Sequence, residues 1–294
     1  MHCLNLKLTY DCTNNCNFCF SSYLKDNVIT YEGLVAAVEK GFNNGCRELV
    51  LSGGEPTLLA DTIENILSLA EQLGYEKYII QTNGSGLSNN EHLVRFLDEF
   101  AKKTELCISF SIHGHCAEVH DCMSSKSGAF ELLIKAMDKI KNTSCLIYTN
   151  TVISRLNIKH LEEIAELCQS YDAKVIQFSM MHLEEPNALS TGLIEAVQAI
   201  KKVSNKIDQN VLKTEGIPYC LMHGIEMCVG ESFWPNELDL YNKENDYMKD
   251  FSQLQYGMRW KGPSCFKCIM NEICMGIWKE HSIEYRKAGI HPIC

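Results

Sequence analysis

The sequence predicts an α/β protein: a partial (β/α)6 barrel over residues 1–210, followed by a small cysteine-bearing subdomain over 211–294. Three observations carry this. Six apolar strand patterns alternate with six helical ones up to about residue 210, the order that gives a parallel sheet with right-handed crossovers. Polar and glycine-containing motifs fall at the carboxyl ends of those strands, where such folds collect their reactive groups. Beyond residue 210 the alternation stops, and four of the six prolines and six of the sixteen cysteines gather there. So few patterned apolar residues need metal to order them.

The first strand is 4–10, an alternating Leu4-Asn-Leu-Lys-Leu-Thr-Tyr10. A C-x3-C-x2-C run follows, made of Cys12, Cys16 and Cys19, with Phe18 before the last thiol. Three thiolates within eight residues suit three irons of a four-iron–four-sulfur cluster and leave the fourth iron open. A zinc loop is the alternative, but zinc motifs pair C-x2-C with a second pair or with histidines, and none follows nearby. The helix over 30–44 shows Val35, Val38 and Phe42 on one face. Strand 48–52 ends in Ser52-Gly53-Gly54-Glu55-Pro56, where two glycines admit a close ligand and a carboxylate can accept from an ammonium group. Helix 61–73 carries Ile63, Ile66, Leu67 and Ala70, with Asp61 as its expected N-cap and Glu64 three residues on. Gly45 and Gly74 stand where these helices should stop.

Strand 77–82 ends in Gln81-Thr82-Asn83-Gly84 and leads to helix 90–103. Strand 105–112 sets Ser109 and Ser111 on one face, Phe110 and Ile112 on the other. The run His113–Cys122 holds three histidines and two cysteines, Cys116 and Cys122. It is expected to be a polar loop at the mouth of the site; a second metal site is the other option. Helix 128–141, strand 145–153 ending near Asn150, helix 158–171, strand 174–181 with Gln177 and Ser179, and helix 190–207 complete the alternation.

The net charge of −10 argues against nucleic acid as the main partner, because an acidic surface repels phosphates. No apolar run is long enough for a membrane span. The start, Met1-His-Cys-Leu, has no basic-then-apolar leader. A high cysteine count in such a chain points to a reducing cytoplasm and to metal ligation.

A strand, then a C-x3-C-x2-C loop, then G-G-E at the next strand end resembles the radical S-adenosylmethionine (radical SAM) superfamily. The resemblance implies that Cys12, Cys16 and Cys19 hold a 4Fe–4S cluster whose open iron binds the amino and carboxylate groups of S-adenosylmethionine. It implies further that Gly53, Gly54 and Glu55 receive the methionine amino group, and that Thr82 and Asn83 face the cofactor. Ser111 matches a serine near its ribose or carboxylate, with Ser109 on the same face, and Asn150 borders the adenine. Relatives commonly have aspartate where this chain has His113, so His113 becomes a candidate for touching substrate. Cys116 and Cys122 become candidates for giving a hydrogen atom to a substrate radical. The C-terminal Cys265-x2-Cys268-x5-Cys274, with Cys220 upstream, resembles the auxiliary-cluster segments called SPASM and twitch. Trp278 stands where the last cysteine of the full pattern would be, which implies one auxiliary 4Fe–4S cluster rather than two. Its expected ligands are Cys220, Cys265, Cys268 and Cys274, with Cys228 or Cys294 as substitutes for Cys220 and structural zinc as the other occupant.

The implied activity is reductive cleavage of S-adenosylmethionine to a 5′-deoxyadenosyl radical, which takes a hydrogen atom from substrate. A ribosomally made peptide is the expected substrate, through cross-linking, thioether formation or epimerisation. The first strand begins almost at residue 1, which leaves no room for a separate leader-binding domain and departs from many such maturases. A small molecule, sugar or amino acid, is the rival substrate. A non-catalytic iron–sulfur or zinc protein is the rival of another class. A flavodoxin or ferredoxin would be the reductant.

Overall fold

Leucines at alternate positions of the first strand set the architecture. Leu4, Leu6 and Leu8 are buried on one face, while Asn5, Lys7 and Thr9 look to the other. Strands with this parity need a helix on the apolar face, and each following β–α unit supplies one. The fold was obtained as a computed structural model. It describes every residue except 1, 20, 22–23, 25–27, 183–186, 234, 236, 244–245, 291–292 and 294, and leaves aside the side chain of Leu254.

The six expected units are present: β1 (His2–Thr9), α1 (Tyr31–Asn43), β2 (Glu48–Gly53), α2 (Ala60–Leu73), β3 (Lys77–Thr82), α3 (Glu91–Ala101), β4 (Glu105–Ser111), α4 (Ala117–Ser124), α5 (Ala129–Ile140), β5 (Leu146–Ile153), α6 (Leu161–Ser170), β6 (Val175–Met180) and α7 (Leu193–Val203). Strands β1 to β6 pair in parallel and in chain order, forming the open barrel wall. The helices pack on its outer face; α3, for example, buries Leu93, Val94, Leu97 and Phe100. Each such side chain contributes about 2 kcal/mol through removal from water.

Three local expectations change. Helix α2 begins at Ala60, and Leu59 holds its N-cap position without a side-chain bond, so Asp61 lies in the first turn rather than capping it. Its charge still favours that end of the helix dipole. The run His113–Cys122 is not all loop, since α4 begins at Ala117 and buries His120, Met123 and Ser124. Finally, the sheet does not stop at β6. Strand β7 (Leu212–Glu215) adds to β6, and β8 (Glu237–Lys243) pairs in parallel with β1 at the opposite edge. Strand β9 (Asp246–Met248) turns back on β8. The rest of the C-terminal segment is α8 (Phe251–Gly257), the short pair β10 (Arg259–Trp260) and β11 (Ile277–Trp278), and α9 (Ser282–Lys287). Among the described residues, no helix is long and apolar enough to cross a membrane.

Candidate active site

The loop that follows β1 is held from three sides. Gly54 N donates to Thr9 O at 2.6 Å and Glu55 N to Asp11 O at 2.7 Å, tying the loop to the end of β2. Asn83 Nδ2 donates to Cys12 Sγ at 3.4 Å and to Thr13 Oγ1 at 3.2 Å, tying it to the end of β3. Asn15 N donates to Ser124 O at 3.0 Å, tying it to α4. Cys12, Cys16 and Cys19 are thereby presented together at the carboxyl end of the sheet. Burial pushes the Cys16 thiol up to about 12, with the neighbouring Cys19 and Cys12 adding to it, and burial raises Cys12 as well. Such a set favours a cation that neutralises all three sulfurs together.

The glycines explain the close approach. Gly53 has φ of 133°, and a Cβ there would lie 2.1 Å from Thr9 O; one on Gly54 would lie 2.2 Å from Asp11 O. Glu55 is completely buried, and burial raises its carboxyl above the usual range against the pull of its hydrogen bonds. Its Oε1 accepts from Thr57 N at 3.0 Å, from the Thr57 hydroxyl, and from Thr82 Oγ1 at 2.6 Å. Its Oε2 accepts from Asn83 N at 2.6 Å. Each carboxylate oxygen offers about two acceptor directions, so Oε2, with one bond, keeps one to spare. The Thr82 hydroxyl donates to Glu55 and accepts from Gly84 N at 2.9 Å.

The inner face of the sheet is a polar row set by register. Lys7 lies beside Ser52, Gln81 beside Ser109, Ser111 beside Asn150, Asn150 beside Gln177, and Ser179 beside Glu215. Ser179 Oγ donates to Asn150 Oδ1 at 2.8 Å or to Glu215 Oε2 at 2.9 Å, and Gln177 Nε2 donates to Ser179 Oγ at 3.1 Å. Sequence reasoning passed over two members of this row. Lys7 is ringed by protein yet partly accessible, and burial pulls its ammonium down to about 8. Glu215 comes from a strand too short to stand out. The signal that could have found Lys7 was its parity with Asn5 and Thr9.

His113 is buried at the end of β4, edge-on to Phe18 at 4.8 Å and stacked over His120 at 5.9 Å. Its Nδ1 accepts from Val152 N at 3.3 Å, which leaves the proton on Nε2. Burial, with His120 adding to it, holds His113 down at about 3; burial holds His120 at about 4. Both imidazoles are therefore neutral. His115 turns away to His160, 4.9 Å between ring centres. Cys116 sits at the start of α4 and Cys122 is exposed on it, so the histidines and cysteines of this run are not gathered around one point.

In the C-terminal segment, Cys220, Cys265, Cys268 and Cys274 line one apolar cavity with Tyr219, Trp260 and Tyr285. Cys220 Sγ lies 3.0 Å from Tyr285 Oη, and burial pushes its thiol up to about 11. Cys228 points elsewhere, its thiol toward Gln209 O at 3.7 Å. Cys294 lies outside the described residues.

The thiols of Cys12, Cys16 and Cys19 are the donor type that an iron–sulfur cluster takes. A single tetrahedral zinc needs sulfurs about 3.8 Å apart, from bonds of about 2.3 Å. Among the described residues, the group whose ligand atoms all fall within 4.8 Å of one another is His2, Cys46 and Asp239, not either cysteine set.

Comparison with known proteins agrees with this geometry. The model of the radical SAM superfamily matches residues 6–168, more than half of the chain. An uncharacterised protein of Methanocaldococcus jannaschii is 25% identical over 253 residues, covering 81% of this chain and 83% of its own. A probable GTP 3′,8-cyclase of Saccharolobus solfataricus is 29% identical over 192 residues, covering 61% of this chain and 56% of the cyclase. In fold, Streptococcus suis SuiB superposes with a TM-score of 0.67 at 16% identity, over 99% of this chain and 76% of SuiB. The anSMEcpe structure with bound AdoMet and a peptide gives 0.58 at 20% identity, over 69% of this chain and 59% of that one. The matched segment runs from β1 through the cysteine loop and the strand ends that hold it, and on that agreement the chain belongs to the radical SAM superfamily.

Proposed function

We propose that this radical SAM protein is a peptide maturase with one auxiliary cluster. The observation that carries the auxiliary cluster is the convergence of Cys220, Cys265, Cys268 and Cys274 on a single cavity. Auxiliary clusters of this kind accompany peptide modification. A SuiB structure with its precursor peptide SuiA, similar in fold over 96% of this chain, supports a peptide substrate.

The proposed roles of the residues draw on this geometry. Cys12, Cys16 and Cys19 would hold the radical-generating cluster, with Asn83 donating to the Cys12 sulfur. When bound, the cluster and S-adenosylmethionine supply a 5′-deoxyadenosyl radical able to take hydrogen from an unactivated C–H bond. Gly53 and Gly54 keep the end of β2 flush against the loop, and the spare lone pair of Glu55 Oε2 is the acceptor for the methionine ammonium. Ser109, Ser111 and Asn150 line the inner face for the nucleoside. Phe18 and neutral His113 form one wall, so His113 offers an N–H donor rather than a charge. Cys116 and Cys122 stay candidates for hydrogen donation at the mouth. A flavodoxin- or ferredoxin-like carrier in a reducing cytoplasm would deliver the electron.

A small-molecule substrate is the second reading, supported by the probable GTP 3′,8-cyclase relative and by the continuous polar row from Lys7 to Glu215. Anaerobic reconstitution tests the core of the proposal. Wild type should hold about eight irons, four per cluster, and form 5′-deoxyadenosine only when reduced. A Cys12/Cys16/Cys19→Ala variant should keep about four irons and form none. An iron-loaded, reduced wild type that makes no 5′-deoxyadenosine would sink the enzyme reading, and a fall to no iron in that variant would remove the auxiliary cluster.

A further inference from the structure

At the amino-terminal end of the sheet, away from the mouth, three different metal-ligating side chains converge. His2 opens β1, Asp239 lies on β8, and Cys46 sits in the turn before β2. Parallel pairing sets His2 beside Glu237 and Leu4 beside Asp239. A ring nitrogen of His2, the Cys46 Sγ and a carboxylate oxygen of Asp239 all lie within 4.8 Å of one another. His2 Nε2 is 3.0 Å from Asp239 Oδ1, and Cys46 Sγ is 3.9 Å from Asp239 Oδ2. Cys46 and Asp239 are completely buried, and the His2 side chain is 10% exposed. His2 Nε2 stands 3.0 Å from Asp239 Oδ1 without making a well-aligned hydrogen bond. A buried ring nitrogen left this way is unfavourable, and a bound cation would satisfy it.

The surrounding groups orient the three ligands. His2 Nδ1 faces Glu237 Oε2 at 3.5 Å, the carboxylate–imidazole arrangement that aims the other ring nitrogen at a metal. Asp239 Oδ2 accepts from Tyr247 Oη at 2.5 Å and Asn44 Nδ2 at 3.3 Å, and Oδ1 accepts from Asp250 N at 2.9 Å. Ligand atoms on a tetrahedral zinc stand about 3.2–3.8 Å apart, given bonds of about 2.0–2.3 Å. The observed 3.0 Å to Oδ1 and 3.9 Å to Oδ2 lie just below and just above that range, so small side-chain shifts would bring the three ligands onto one ion. A mixed thiolate, imidazole and carboxylate set suits Zn²⁺, whereas Ca²⁺ and Mg²⁺ require oxygen ligands.

We propose that His2, Cys46 and Asp239 bind one Zn²⁺ ion, with water at the fourth position. Binding releases the Cys46 thiol proton to solvent. The ion joins three chain segments: the start of β1, the approach to β2, and β8, which returns from the C-terminal segment. Its role is to pin that returning strand. The eight residues of β1 separate it from the cluster loop by roughly 25 Å, so it acts on stability and not on the radical site.

The test uses untagged, cluster-loaded protein equilibrated anaerobically with Zn²⁺ and then desalted. Elemental analysis should find about one zinc per chain beside the iron, in keeping with a three-ligand site. X-ray absorption at the zinc edge should show one sulfur, with nitrogen and oxygen making up the rest. His2→Gln, which leaves the core untouched, and the nearly isosteric Asp239→Asn should each lose the zinc and keep the iron. Added zinc should raise the melting temperature of wild type and leave that of both variants unchanged. Zinc bound by three or four sulfurs, zinc retained in both variants, or none bound by wild type would each overturn the site.

Discussion

At the scale of single residues, His113 and His120 show how position overrides residue type. Each occupies a buried place that an apolar side chain would ordinarily fill, 5% and 1% exposed. Each is held neutral, at about 3 and about 4, burial being the larger cause for both. The unfolded chain binds protons on both rings near the ordinary value of about 6.5, and the folded chain does not until far lower pH. Stability from this pair is therefore complete above pH 6.5 and is lost as pH falls toward 4. Near pH 5 the two rings give a slope of about 2.7 kcal/mol per pH unit. In His120→Gln the amide oxygen still accepts from His113 N, which donates to His120 Nδ1 at 3.2 Å in wild type. Urea unfolding between pH 7 and pH 5 should then show about half the wild-type slope. An unchanged slope would mean that His120 is already charged in the fold. The sequence shows these histidines, and it shows their nearness to a strand end. It does not show that one stacks on the other, because that depends on where α4 turns.

At the scale of elements, the β–α alternation was legible to within about four residues at each end, since each helix face and each strand parity is set locally. Helix α4 was not, because its buried positions are His120, Met123 and Ser124, a face that carries only one apolar residue. Asp121 belongs to the same lesson. Its carboxylate accepts from Gly128 N at 2.6 Å and Phe130 N at 2.8 Å, so it secures the start of α5. Strand β8 was hidden for a related reason: Asp239 is buried in the middle of it, which inverts the pattern a strand normally shows. The glycines at the end of β2 were legible as an approach to a ligand, but what they approach here is backbone. A methyl on Gly53 meets Thr9 O at 2.1 Å with φ at 133°, while Gly128, at φ 79°, has open space around it. Gly53→Ala should cost about 3 kcal/mol, from strain and overpacking together. Gly128→Ala should cost about 1 kcal/mol from backbone conformation alone. Chemical denaturation distinguishes the two, and equal losses would show that the strand end yields freely.

At the scale of the molecule, the C-terminal segment is bound to the barrel edge through buried charge. Arg259 on β10 lies 3.3 Å from Glu231 and 3.9 Å from Glu215, and its guanidinium lies 3.4 Å above the Trp278 ring. Trp278 in turn stacks on His182 at 4.3 Å, and Glu231 accepts from Gly216 N at 2.6 Å just after β7. Trp278, legible only as a missing cysteine, is thus the platform for this cation. Contacts between residues 215 and 278 cannot be read from local pattern, because they depend on how the chain returns. Burial pushes the Glu231 carboxyl up to about 7, with Arg259 opposing the rise. Between the ordinary carboxylate range and pH 7 the folded chain therefore keeps a proton that the unfolded chain has lost, and this group's contribution falls as pH rises. Arg259→Gln removes the opposing charge, so Glu231 must either stay protonated at higher pH or remain buried unpaired. The variant should lose about 3–5 kcal/mol at pH 8 and distinctly less at pH 5, where Glu231 is protonated with or without its partner. Adding Glu231→Gln to Arg259→Gln should recover most of the loss at pH 8. If Arg259→Gln costs the same at both pH values, the ion pair is not what fastens the segment, and the stacking of Arg259 on Trp278 carries the attachment instead.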